Sequence, residues 1–182
     1  VGYRSAQNNT RNRVTAAGYK AAQNNTRNRV TAAGYRSAQN NTGFGVTAAG
    51  YSAARGNTGF GVTTVGYRSA RDNTGTLVTT VGYQAAQDNT GDRVTAAGYQ
   101  AARGDGLADP ATMGDDNIGI GDSAIRNNQA SGLIAIGQDA GINAQTDDQL
   151  IITQQDGTRR MVMDLTTGDL KITGSLTENA SL

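Results

Sequence analysis

A glycine followed by a tyrosine returns every sixteen residues: Gly2-Tyr3, Gly18-Tyr19, Gly34-Tyr35, Gly50-Tyr51, Gly66-Tyr67, Gly82-Tyr83 and Gly98-Tyr99. These seven tyrosines are all that the chain has. Six copies also carry an Asn-Thr step, from Asn9-Thr10 to Asn89-Thr90, and close on a Val-Thr pair, from Val14-Thr15 to Val94-Thr95. Repetition this strict marks a stack of like units. Sixteen residues are too few for two packed helices. Wound as one helix they make about 4.4 turns, so the pattern would rotate round the axis with each copy. Glycine, threonine and valine also disfavour helix. The spacing predicts two short strands and two turns per repeat, which makes each repeat one coil of a β-solenoid or β-roll. Val1 opens in mid-repeat, which reads as a piece of a longer chain.

The rhythm continues past Gly98. "IGIGDSA" puts Gly121 in the same role and "IAIGQDA" puts Gly137 there. Gly98 and Gly121 lie 23 apart, so about seven residues are inserted within "RGDGLADPATMGDDN", which holds the only proline and reads as a loop. The tail "QLIITQQDGTRRMVMDLTTGDLKITGSL" alternates in polarity, with Asp156-Gly157 and Thr167-Gly168 between apolar runs. That pattern predicts short strands joined by tight turns. The expected organisation is a repeat solenoid over 1–102, an inserted loop over 103–116, two further β-roll coils over 117–148 and a β-prism-like stem over 149–182. The class is all-β.

The strand before each repeat glycine carries small or apolar residues on both faces, as in Val-Thr-Ala-Ala-Gly or Leu133-Ile134-Ala135-Ile136-Gly137. Such strands are covered on both sides. One side faces its own coil, but the chain has no tryptophan, two phenylalanines and little else to cover the other. A homo-oligomer, three chains round one axis, is therefore expected. Glycine at the tight point of each coil lets backbones approach. The tyrosines predict either a structural ladder or a sugar-binding strip. Asp122 and Gln138 replace them in the last coils. The Asn-Thr steps predict turns, with asparagine in left-handed geometry and bonded to its own backbone. Asn8, Asn24 and Asn40 match a glycosylation triplet by coincidence. The threonine row Thr15, Thr31, Thr47, Thr63, Thr79 and Thr95 is continued by Ile118 and Ile134, which predicts burial rather than an ice-binding array.

The net charge is +1, unevenly placed. Residues 1–71 hold ten Lys/Arg and no acid, and residues 72–182 hold six Lys/Arg against fifteen acids. The basic end reads as solvated coil corners or as a surface that docks on something anionic. Nothing accompanies the arginines that would make a nucleic-acid motif. With no histidine and no cysteine, the usual catalytic triads and zinc sites are unavailable. Asp115-Asp116 and Asp147-Asp148 are the paired carboxylates that hydrolysis would need. Adjacent acids in loops are ordinarily solvated, so no enzyme is expected and no catalytic residue is assigned. Asp105, Asp109, Asp115 and Asp116 are a calcium alternative without an EF-hand spacing, so no metal or cofactor is assigned. Arg103-Gly104-Asp105 spells an integrin-type tripeptide that the loop reading already accounts for. No run of about 18 apolar residues is present to span a membrane as a helix.

The Gly-Tyr-x-Ala and Asn-Thr-Gly steps resemble repeats of bacteriophage tail fibres. The "IAIGQDA" coils are similar to the β-roll heads of trimeric autotransporter adhesins. The tail "DLTTGDLKITGSLTENASL" looks like the segment before an endosialidase-type intramolecular chaperone. The resemblance implies a homotrimeric fibre that binds a host-surface polysaccharide or outer-membrane component and joins other tail proteins, located on the virion. It also implies a chaperone beyond Leu182 that directs trimer assembly and is then released. The alternative it implies is the head of a bacterial trimeric surface adhesin. The insert supplies the candidate receptor-binding residues, Arg103, Asp105, Asp109, Asp115 and Asp116, because departures from a repeat map to loops.

Overall fold

The computed structural model describes residues 1–10, 12–105, 113–154 and 158–173. They form one sheet of eleven strands in sequence order. The strands are β1 (Val14–Ala17), β2 (Val30–Ala33), β3 (Val46–Ala49), β4 (Thr63–Val65), β5 (Thr79–Val81), β6 (Thr95–Ala97), β7 (Ile118–Ile120), β8 (Ile134–Ile136), β9 (Gln149–Thr153), β10 (Arg159–Asp164) and β11 (Leu170–Ile172). From β1 to β9 every neighbour is parallel and in register, so equivalent repeat residues lie one above the other. This is the expected all-β solenoid of 16-residue coils.

Each coil has one strand, not two. The stretch after each tyrosine bends instead, through residues with positive φ at every second position, such as Lys20 (52°), Ala22 (49°) and Asn24 (56°). A left-handed conformation costs a non-glycine residue roughly 1–2 kcal/mol. Hydrogen bonds between coils hold it. Lys20 and Asn24 donate N–H to Tyr3 O and Gln7 O in the coil before (both 2.9 Å), and Ala22 donates to Ser37 O in the coil after (2.8 Å). The third of these positions carries Asn8, Asn24, Asn40, Gly56, Asp72 and Asp88, residue types that tolerate the geometry. The middle one carries alanine in seven coils, which fits the fully buried interior.

The core is thin. Val30, Val46, Val62, Val78 and Val94 make one buried column, continued by Asn117 and Leu133. Alanines fill most of the remainder. Ile125 takes an alanine position in the eighth coil, where Gly119 opens the space: a Cβ on Gly119 would meet the Ile125 side chain. The repeat glycines are required by close approach within one chain, rather than between chains. Gly66 has φ +137°, and a Cβ there would fall on the carbonyl of Gly82 in the next coil.

The Asn-Thr step is more than a turn. The left-handed residue is the one before it, and the asparagine of the step is buried. Asn57 Nδ2 donates to Asn41 Oδ1 (2.9 Å) and to Gly59 O (2.9 Å), Gly59 N donates back to Asn57 Oδ1 (3.2 Å), and Asn73 Nδ2 donates to Asn57 Oδ1 (2.9 Å). The ladder runs from Asn25 to Asn89. Buried polar groups need such full pairing.

The tail continues the same sheet. β10 pairs antiparallel with β9 and with β11, and Val162 packs on the core. The Thr167-Gly168 turn forms as expected, with Gly168 at φ +80° and the Asp164 carboxylate accepting the Thr166 and Thr167 amides (2.8 and 2.9 Å). Those amides hold the Asp164 carboxyl below its ordinary range. Asp156-Gly157 lies outside the described residues.

Asn57→Ala should cost about 2–4 kcal/mol in urea unfolding at fixed protein concentration, because it removes buried hydrogen bonds to Asn41, Gly59 and Asn73. Exposed Thr26→Ala should cost below about 0.5 kcal/mol in the same measurement.

Candidate functional site

The outward face of the sheet has two columns, set by the register. The first runs Thr15, Thr31, Thr47, Thr63, Thr79, Thr95, Ile118, Ile134, Leu150, Met163, Leu170. The second runs Ala17, Ala33, Ala49, Val65, Val81, Ala97, Ile120, Ile136, Ile152, Met161, Ile172. No member of either column is charged. The face extends about 48 Å, at roughly 4.8 Å per strand. Val65 and Val81 are 47% and 55% exposed, and Ile120 and Leu170 are 45% and 54% exposed. The threonine row is therefore not buried as its sequence neighbours suggested. All six threonines are exposed, because alternate residues of each strand point away from the coil interior. Long exposed apolar faces mark interaction surfaces.

The tyrosines form the expected ladder. Consecutive rings from Tyr3 to Tyr99 stack at 4.9–5.5 Å between centroids. Arg4, Lys20, Arg36 and Arg68 each lie over the ring of their own coil, at 5.1–5.3 Å. A sugar stacks on an open ring face, and here neighbouring rings cover one another. The ladder's strength is cohesive, worth about 0.5–1.5 kcal/mol per pair.

The described candidate residues of the insert do not gather in one place. Asp109 lies in 106–112, outside the described residues. Arg103 sits in the turn after Tyr99, half-buried, and its carbonyl accepts the Asn127 amide at 3.0 Å. Asp105 is exposed. Asp115 and Asp116 have already rejoined the solenoid, and Met113 N donates to Thr90 Oγ1 (2.7 Å) just before them. Asp115 Oδ1 accepts the Asp92 amide (2.8 Å) and Asp116 makes a forked ion pair with Arg93, one arm at 2.7 Å. That pair holds the Asp116 carboxyl below its ordinary range, first through the hydrogen bond and then through charge, and raises the Arg93 guanidinium further. Among the described residues no group of three or more His, Cys, Asp or Glu is placed to hold a metal ion. No described helix is long and apolar enough to cross a membrane.

A second feature was missed from sequence: the corner just before each strand. Asn12, Asn28, Phe44, Phe60, Thr76, Asp92, Asp115, Ser131 and Asp147 stack there as one row. A signal existed, since both phenylalanines of the chain occur sixteen apart in "GFG".

Comparison with family models, with curated proteins and with solved structures found no match to this chain.

The Asp116 pair is exposed and has a definite pH sign. Its depressed carboxyl keeps the contribution in place above the ordinary carboxylate range and loses it as pH falls through the folded value. An NMR titration should find the Asp116 midpoint below about 3.9, and Arg93→Gln should return it to that value.

Proposed function

We propose that this chain is the structural and receptor-binding part of a homotrimeric phage tail fibre that attaches the virion to the host cell surface. The observation that carries the reading is the two-column outward face without a charge. A lone chain would hold this apolar surface in water, and each ladder strand would stay uncovered on one side. Three copies turning these faces to a common axis cover them and give a rod. Cyclic closure also uses each copy's face in full, which an open stack does not.

The composition of the face grades along the rod. The first six strands present threonine with alanine or valine; the last five present isoleucine, leucine and methionine. The larger side chains sit where β9, β10 and β11 turn antiparallel, and there the three copies interlock most tightly as a β-prism-like stem. The threonine half tolerates water better and packs more loosely. Recognition belongs to the outer corners and turns, which remain outside such a core. Weak contacts at these corners sum over three chains and several fibres.

Sedimentation of the purified chain should give three times the monomer mass, and that trimer should compete with intact virions for host cells. Ile120→Lys with Ile136→Lys should yield monomers or unfolded chain, since two charges per copy would meet at the axis. Thr31→Lys, in the threonine half, should weaken the trimer less. A wild-type chain that sediments as a folded monomer overturns the reading.

A further inference from the structure

The corner row has a common pattern, and two residues are chemically unable to follow it. In most coils a polar side chain there accepts a backbone amide from its neighbour. Asn28 Oδ1 takes the Asn12 amide (3.0 Å), Asp92 Oδ1 takes that of Thr76 (2.7 Å), and Asp147 Oδ1 takes that of Ser131 (2.8 Å). Phe44 and Phe60 have no acceptor to offer. They also place aromatic surface in water, with Phe60 50% exposed. The two rings stack on each other in place of the lost bond, but the exchange leaves aromatic edges at an exposed corner.

The glycines beside them support this. Gly45 and Gly61 occupy the position that holds Arg13, Arg29, Leu77 and Arg93 in other coils, all at positive φ. The backbone therefore accepts a side chain there: a Cβ on Gly45 would meet nothing closer than 3.8 Å, and one on Gly61 would meet only the tip of the Leu77 side chain, at 3.0 Å. Their bareness leaves the ring edges open on that side. The result is a depression of about 430 Å³ lined by Arg27, Thr42, Gly43, Phe44, Thr58 and Phe60. The rings stack at 5.2 Å, and the Arg29 guanidinium lies 5.4 Å from the Phe44 ring centre. Arg27 Nε is fixed by Thr42 O at 3.1 Å, which leaves its terminal nitrogens as donors.

We infer that this depression binds a carboxylated sugar unit of an anionic polysaccharide, a reading that rests on the proposed attachment to a host surface. The ring edges carry positive potential and the guanidinium of Arg27 adds to it, so an anion is favoured. The exposed Thr42 and Thr58 suit hydroxyls, and the outward edges of the two rings suit the apolar C–H groups of a pyranose laid beside them. No acid occurs in residues 1–71 to oppose the ligand's charge. An acidic peptide matches the charge but makes no use of the paired hydroxyls.

The full chain is titrated calorimetrically with hexagalacturonate, maltohexaose and hexaglutamate. Hexagalacturonate should bind, more weakly as salt rises, and maltohexaose should bind at least tenfold more weakly. Phe44→Asn with Phe60→Asn installs the residue of the first two coils, and Arg27→Gly installs that of the third. Each variant should lose at least tenfold in hexagalacturonate affinity while sedimenting as the wild type does. Equal binding of hexaglutamate overturns the sugar assignment, and unchanged affinity in the phenylalanine variant overturns the site. Dissociation of the oligomer in that variant would make the pair a subunit contact and also overturn it. If the variant chain still competes for host cells, the site falls while the attachment reading stands.

Discussion

Every position of a coil must tolerate its own likeness stacked about 4.8 Å above and below. That constraint governs the molecule. Tyrosine meets it by ring stacking and asparagine by handing one amide proton up the column. Glycine meets it by having no Cβ to strike the next carbonyl. Valine and alanine meet it by stacking into a core narrow enough for a 16-residue loop. Charged residues meet it poorly in the interior and are confined to corners, where solvent screens them. The basic run at one end thus sits on corners and turns.

The same constraint explains why the solenoid is incomplete as a lone chain. A single strand per coil builds one sheet, and a sheet has two faces. The inner face is filled by the chain's own alanines and valines. Among the described residues the outer face has nothing of its own chain to cover it. The described part of the tail lengthens this face through β10 and β11. Assembly of copies and exposure of the corners then divide the work of a fibre: one surface for cohesion and the others for contact.

The Phe44–Phe60 corner shows how such a scaffold gains a site. The ladder fixes the backbone, so a substitution in two successive coils creates a doubled feature at a set spacing without disturbing the rest. The chain after the insert in the seventh coil obeys the same logic. It re-enters the register at Met113, and Asp115 resumes the corner row above Asp92. The acidic pair therefore follows the rules of the stack and belongs to no separate loop.

The period of sixteen was legible from glycine and tyrosine alone. It determined the solenoid, the in-register stacking, the tyrosine ladder and the strand before each glycine, because period is a property of sequence. Only the tertiary structure decided which way each side chain points. It placed Thr15 to Thr95 outward, although Ile118 and Ile134 in the same column suggested an interior, and it buried the asparagine column. It also gave each coil one strand, because alanine and asparagine at every second position accept a left-handed turn once neighbouring coils supply the hydrogen bonds. Those partners lie a full coil away, so no local reading of residue types reveals them.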